Sequence, residues 1–211
     1  MRCTNCSSTV KPVVAIDIDG TLGNYYGHFV QFCNAYFGTT FPNNWEGQGE
    51  WEDFLGLTRQ QYREAKLAYR QGGQKRSMPM ISDAPHLIAA VRKLSVEVWL
   101  TTTRPWLRLD SVDPDTREWL RREDVYYDHL LYDDDKYHRL AELVDPERVL
   151  LVVDDLKELC VQAEDAFGFS VPYQVKRKHN THSDARYGTR GNLHHAAAII
   201  ESRAAAWNRD R

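Results

Sequence analysis

The sequence predicts an α/β domain on a mainly parallel sheet, with a small helical insertion after the first strand. Three observations carry this. The runs "VVAID", "VEVWLTT" and "RVLLVVDD" are short and nearly continuously apolar, as strands buried on both faces are. Helical patterns separate the second and third of them, and strands alternating with helices build parallel sheets. From about Tyr25 to Met80 there is no convincing buried strand.

In chain order, the first strand ends in "DIDGTLGN". Two amphipathic helices follow, "HFVQFCNAYFG" and "TRQQYREAKLAYRQGG", joined by the Trp-rich "NNWEGQGEWEDFLG". "DAPHLIAAVRKL" shows apolar residues at helical spacing, with Asp83 and Pro85 near its start. "DPDTREWLRRE" offers Asp113 as N-cap and Pro114 as first helical residue. "DLKELCVQAEDAFG" closes on Gly168, a C-cap signal, and "GNLHHAAAIIESRAAAW" reads as a terminal helix. The organisation expected is a tail over 1–11, a core over 12–24 and 81–211, and a helical insertion over 25–80. Such an insertion stands above the strand's C-terminal end, where open α/β sheets bind ligands.

The chain has 211 residues, 42% of them hydrophobic, enough for one globular domain with a modest insertion. A net charge of −3 leaves any nucleic-acid contact to a local patch. No apolar run is long enough to span a bilayer, and "MRCTNCSSTVKP" lacks the apolar stretch of a signal peptide. Four cysteines do not make a disulfide scaffold, so a reducing, cytoplasmic setting is expected.

Both "VVAIDID" and "VLLVVDD" end apolar runs in acidic pairs. Side chains two apart on an extended segment point the same way, so Asp17 and Asp19 should face one site. Asp154 and Asp155 should arrive there from a neighbouring strand. Crowded carboxylates repel, and a hard divalent cation, best Mg²⁺, relieves that repulsion. One Asp pair alone would be an ordinary turn feature; two pairs on two buried strands point to a site. The middle strand ends in "TTTR", offering hydroxyls and Arg104 to a phosphoryl oxygen, although Thr101 needs only its strand preference as explanation. Lys136, in "YDDDKYHRL", reads blandly as a solvated lysine at a helix start; its place before the third strand makes a site role the sharper reading.

These residues resemble the haloacid dehalogenase superfamily of phosphatases, over roughly residues 12–175. "DIDGT" matches its first motif, Thr102 with Thr103-Arg104 the second, Lys136 the third and "VVDD" the fourth. The resemblance implies a Rossmann-like core and Mg²⁺-dependent phosphoryl transfer through an aspartyl-phosphate. Asp17 is then the nucleophile and Asp19 the acid and base. Asp17, the Asp19 main-chain carbonyl and an acid of the Asp154–Asp155 pair hold the metal. Thr102 and Lys136 stabilise the transferring oxygens. Gly20, Thr21, Thr103 and Arg104 contact substrate.

Two branches fit. The helical insertion resembles that of 5′(3′)-deoxyribonucleotidases, and its Phe29, Phe32, Tyr36, Trp45 and Trp51 could stack on a base or simply pack together. "TTTRPW…DTREWLRRE…YYDHLLYDDDK" resembles the 3′-phosphatase domain of polynucleotide kinases. The expected partner is a small phosphorylated substrate, a mononucleotide ahead of a nucleic-acid end, because the insertion is aromatic and its few basic residues (Arg70, Lys75, Arg76) cluster late.

A different class stays in view, a non-catalytic phosphate- or nucleic-acid-binding module; the complete acidic set argues against the first and the near-neutral charge against the second. "CTNC" has the spacing of half a zinc site, through Cys3 and Cys6, with no second half nearby. Cys33 and Cys160 read as core. "VKRKHNTHSDARYGTR", with His179 and His182, reads first as a solvated loop and second as a phosphate contact. His194 and His195 are given no catalytic role.

Overall fold

In the chain, β1 (Val13–Asp17) is followed by four helices, α1 (Tyr25–Phe37), α2 (Trp51–Phe54), α3 (Arg59–Gln71) and α4 (Gln74–Ser77). Then come α5 (Ala84–Lys93), β2 (Glu97–Thr102), α6 (Val112–Arg122), β3 (His129–Tyr132) and α7 (Lys136–Leu143). The chain closes with β4 (Val149–Asp154), α8 (Lys157–Phe167), β5 (Pro172–Val175), β6 (Thr189–Gly191) and α9 (Leu193–Arg209). This is a computed structural model that describes residues 10–105, 109–181 and 189–209. Cys3, Cys6 and His182 lie outside the described residues.

The six strands form one sheet in the order β3-β2-β1-β4-β5-β6, every neighbouring pair parallel. The three apolar runs are its central strands. The sequence reading missed β3, β5 and β6, which have only four, four and three residues. None has a long apolar run, and β3 is only half-buried at the sheet edge.

Alternation of side chains along β1 divides the core. Val14 and Ile16 pack with α5, α6 and α9 residues such as Leu87, Trp119 and Ile200. Val13 and Ala15 face Tyr137 and Leu140 of α7 and Ala163 of α8. Helices therefore cover both faces, as an all-parallel sheet requires. The chain runs outward from β1 to β2 and β3, then returns to β4 and the other edge. Its direction reverses between β1 and β4, so the crevice at their carboxyl ends is the switch point where such folds bind ligands.

Helices α1–α3 have their own core around Phe29, Trp51, Leu55, Ala65 and Tyr69. Thr58 and Gln61 form a reciprocal capping box at the start of α3, and Gly38 ends α1 in the left-handed conformation. The two connections to the sheet are tied together: the Asn24 N–H donates to the Pro79 carbonyl (2.8 Å), and the Ile81 N–H to the Leu22 carbonyl (2.8 Å). On the other side, Arg76 pairs with Asp115 (2.5 Å), and the Trp119 indole donates to the Met78 carbonyl (2.6 Å).

One expected cap is corrected. Helix α6 starts at Val112, two residues early, with Ser111 before it. Asp113 falls inside the first turn and binds Arg117 four residues on, while Pro114 still sits where a missing N–H costs nothing. Asp83 precedes α5 but does not cap it. Its carboxylate accepts from the Leu193 N–H (3.0 Å) at the start of α9 and from Arg177. Gly168 ends α8 as expected, and Cys33 and Cys160 are buried free thiols.

Candidate functional site

The last residues of β1 and β4 are Asp17 and Asp154, and Asp155 follows at once. Parallel pairing of the two strands sets their ends side by side. One carboxylate oxygen from each of Asp17, Asp154 and Asp155 lies within 4.8 Å of the others, and all three residues are buried. Burial pushes the Asp17 carboxyl well above the usual range; Lys136 opposes this, and Asp154 and Asp155 add to it.

Lys136 is not the solvated lysine of the bland reading. It is fully buried, its Nζ 2.5 Å from Asp17 Oδ1 and 2.8 Å from Asp154 Oδ2. Burial alone would lower its pKa, but Asp154 and Asp17 outweigh that and raise it. Tyr137 donates to Asp154 Oδ2 (2.6 Å) and the Leu156 N–H to Asp154 Oδ1 (2.8 Å). Asp155 accepts from Thr21 (2.9 Å) and meets His179 Nε2 at 2.6 Å. The metal test is therefore one of charge and donor type. Three hard oxygen donors converge, and one lysine neutralises only part of their charge. That set suits a divalent hard cation.

Asp19 also reaches this place, but its carboxylate turns aside. Arg104 holds it with two bonds, Nε to Oδ2 (2.8 Å) and Nη2 to Oδ1 (2.7 Å). Lys75 of α4 adds a third at 2.6 Å. Burial would raise the Asp19 carboxyl, yet Arg104 and Lys75 hold it far below the usual carboxylate range. The single charge of Asp19 is shared between two cations. Lys75, stripped of water and beside Arg104, is pulled down to about 7 despite its partner. Its ammonium also lies 3.9 Å from the centre of the Tyr25 ring.

The other expected residues fall around this centre. Thr102 ends β2 and is buried, its hydroxyl accepting from the Arg104 N–H at 3.3 Å. Thr103 and Arg104 line the same cavity as Asp17 and Asp19. The Arg104 guanidinium also donates to Thr116 (2.7 Å), so its donors are largely used within the protein. Thr21 is fully buried with its hydroxyl on Asp155. Gly20 has φ +97°, and a Cβ there would stand 2.3 Å from an Asp155 oxygen. Only glycine allows the first acidic segment to lie so close to the second.

That cavity has about 210 Å³ and is roofed by Tyr25, Tyr62, Lys66, Arg70 and Lys75. A second cavity of about 340 Å³ opens on the far side of Tyr26 and Trp51, reaching Trp45, Arg177 and His179. Of the rings read as base-stacking candidates, Trp51 and Trp45 border these spaces. Phe29 is fully buried in the helical core, and Phe32 and Tyr36 border a separate hollow beside His28.

Two residues stand closer to the centre than the sequence suggests. Lys75 was grouped with the late basic residues; that it is followed by a return to the core next to the site is visible only in three dimensions. His179 was read first as part of a solvated loop. It sits instead in a short turn, bound to Asp155 and stacked on Tyr26 with ring centres 3.9 Å apart. Its neighbour Asn180 donates to the Asp155 carbonyl (2.8 Å), so this turn is anchored to the acidic pair.

No protein-family model matches the chain, and no curated protein matches it. Its fold is shared with solved structures. A HAD family hydrolase from Deinococcus radiodurans R1, solved with bound phosphate and sodium, is 18% identical. It aligns over 92% of this chain and 97% of its own, with a TM-score of 0.62. A protein named as a predicted phosphatase from Clostridium acetobutylicum is 11% identical over 92% and 100% of the two chains, TM-score 0.64. CbbY from Rhodobacter sphaeroides, solved with phosphate, is 15% identical over 86% and 93%, TM-score 0.52. The chain thus has the Rossmann-like haloacid dehalogenase fold expected from its sequence.

Proposed function

We propose that this chain is a Mg²⁺-dependent phosphatase that hydrolyses phosphate monoesters through an aspartyl-phosphate, with residues 25–80 as its cap. One observation carries the proposal: the buried Asp17–Asp154–Asp155 cluster, braced by Lys136 at the carboxyl ends of β1 and β4. That two fold relatives were solved with phosphate supports it.

In this reading a carboxylate oxygen of Asp17 forms a bond to phosphorus as the ester oxygen leaves with a proton from Asp19. Water, giving its proton back to Asp19, then attacks phosphorus and releases phosphate and free Asp17. Lys136 holds Asp17 in place and offsets its charge. Thr103 lines the cavity, and Thr102, buried just before it at the end of β2, carries the hydroxyl proposed to donate to a phosphoryl oxygen. Bound to Asp17, the Asp19 carbonyl and the Asp154–Asp155 pair, Mg²⁺ would neutralise phosphoryl charge. Asp19 must carry a proton as the first half begins and be ionised as the second begins. The state with Arg104 and Lys75 clamped on it corresponds to the second, so substrate entry has to loosen the clamp.

The substrate we propose is small, a mononucleotide ahead of a nucleic-acid 3′ end. The roof from α3 and α4 supports this, because an oligonucleotide end needs an open groove and this cavity lies under a lid. The test is phosphate release from p-nitrophenyl phosphate, then from deoxynucleoside monophosphates and 3′-phosphorylated oligonucleotides. Activity should vanish with EDTA, return with Mg²⁺ and return poorly with Ca²⁺, which prefers looser, higher coordination. Asp17→Asn should be inactive and folded. Wild-type turnover by Asp17→Asn would end the proposal. A kcat/KM preference for the oligonucleotide, weakened by salt, would reverse the substrate order.

A further inference from the structure

Helix α3 places Tyr62, Lys66 and Arg70 four residues apart, on one face, and all three line the cavity that holds Asp17 and Asp19. The two cations differ from the others there. Lys75 and Arg104 are matched to Asp19. Lys66 and Arg70 are half-buried and form no ion pair with any carboxylate among the described residues. Lys66 rests 4.8 Å from the centre of the Tyr62 ring, a contact that orients the ammonium without cancelling its charge. Burial, and then Arg70 beside it, lowers the Lys66 pKa, and the more distant Glu52 and Asp19 offset this only in part. Placing two unmatched cations side by side at a partly dry wall is unfavourable until an anion joins them.

The phosphoryl group to be transferred has its own partners, Lys136 and the metal donors at the floor of the cavity. Tyr62, Lys66 and Arg70 share the cavity lining with Asp19 and Lys75, and Asp19 is the residue proposed above to protonate the leaving oxygen. We infer that Lys66 and Arg70, with Tyr62, form a second anion subsite, and that the preferred substrate is a compact phosphate monoester carrying a second anionic group, a carboxylate or another phosphate. This rests on the phosphatase reading and, within it, places a doubly anionic phosphate ester ahead of a simple mononucleotide. A volume of about 210 Å³ is below the roughly 300–1,000 Å³ of common ligand sites, which favours a short carbon chain between the two anions.

Two matched pairs test this. 3-Phosphoglycerate and glycerol 3-phosphate differ by a carboxylate in place of a hydroxymethyl group. Deoxyadenosine 3′,5′-bisphosphate and 5′-monophosphate differ by one phosphate. Affinities are measured by calorimetry on Asp17→Asn protein with Mg²⁺, and kcat/KM on the wild type. The second anion should tighten binding at least about tenfold, the usual worth of a charge-assisted hydrogen bond. The carboxylate pair against the bisphosphate pair shows which anion fits. Lys66→Met and Arg70→Met should each collapse the ratio within a pair, and Lys66→Arg should restore it. Equal affinity within both pairs, or a preference untouched by both Met variants, overturns the subsite. Absent phosphate release with every ester, alongside an intact binding preference, would instead overturn the phosphatase reading and leave the subsite standing.

Discussion

Arg104 holds Asp19 by both carboxylate oxygens, at 2.8 and 2.7 Å, across a separation of 85 residues in the chain. Such bidentate pairs are the strongest charge-assisted contacts, and here Lys75 brings a second cation to the same carboxylate. Asp17 is in the opposite situation, one carboxylate among three with one lysine between them.

The two aspartates should therefore respond differently to removal of charge. Asp19→Asn leaves Arg104 and Lys75 buried without their anion, at a cost on the order of 3–5 kcal/mol, or a Tm drop near ~10 °C for a chain this size. Asp17→Asn relieves repulsion and leaves Lys136 with Asp154, so its Tm should stay close to wild type. Thermal melts in metal-free buffer decide this; a larger loss for Asp17→Asn would contradict the charge picture.

Lys136→Met should destabilise the metal-free protein by about 3 kcal/mol or more, because buried Asp17 and Asp154 lose the lysine that pairs with both. The same change should enlarge the Tm gain from Mg²⁺, since the cation then meets more uncompensated charge. The readout is the difference in Tm with and without Mg²⁺ in variant and wild type. An unchanged metal-induced gain would mean that Mg²⁺ binds elsewhere.

Gly20→Ala meets two obstacles, a left-handed φ of +97° and an Asp155 oxygen 2.3 Å from the new Cβ. Gly38→Ala is the control, with φ +66° and nothing within 4 Å. Strain alone should cost the control about 1–2 kcal/mol. Gly20→Ala should cost clearly more and weaken Mg²⁺ binding by displacing Asp155. Denaturant midpoints for both variants measure it; equal losses would show that Asp155 moves aside freely.

Asp83 gives a pH signature away from the cavity. Burial alone would raise its carboxyl, but the Leu193 N–H and Arg177 outweigh it and hold it below the usual value. A group with a depressed folded pKa stabilises fully above its unfolded pKa, about 3.9, and loses that contribution as pH falls through the folded value. Asp83→Asn should be less stable than wild type by about 1.5 kcal/mol at pH 7. The gap should narrow below about pH 4. A gap independent of pH would show that the Asp83 charge is not what holds the start of α9.

The sequence by itself determined the parallel α/β architecture and most of the acidic centre. Long apolar runs name the central strands whatever surrounds them, and runs ending in Asp17 and Asp154 place carboxylates at one sheet edge once the strands are parallel. Short edge strands such as β6 were invisible, because three residues held by a neighbour leave no periodic signal. The fate of each charge was decided only by tertiary structure. Lys136 looks like any lysine at a helix start, and it is buried because α7 packs its first turn beneath the ends of β1 and β4. Asp19 points toward Arg104 and Lys75 because α4 and the segment after β2 converge there. His179 leaves solvent because Tyr26 and Asp155 offer it a ring and an anion. Pairings across tens of residues depend on where the chain returns, and local sequence carries no record of that return.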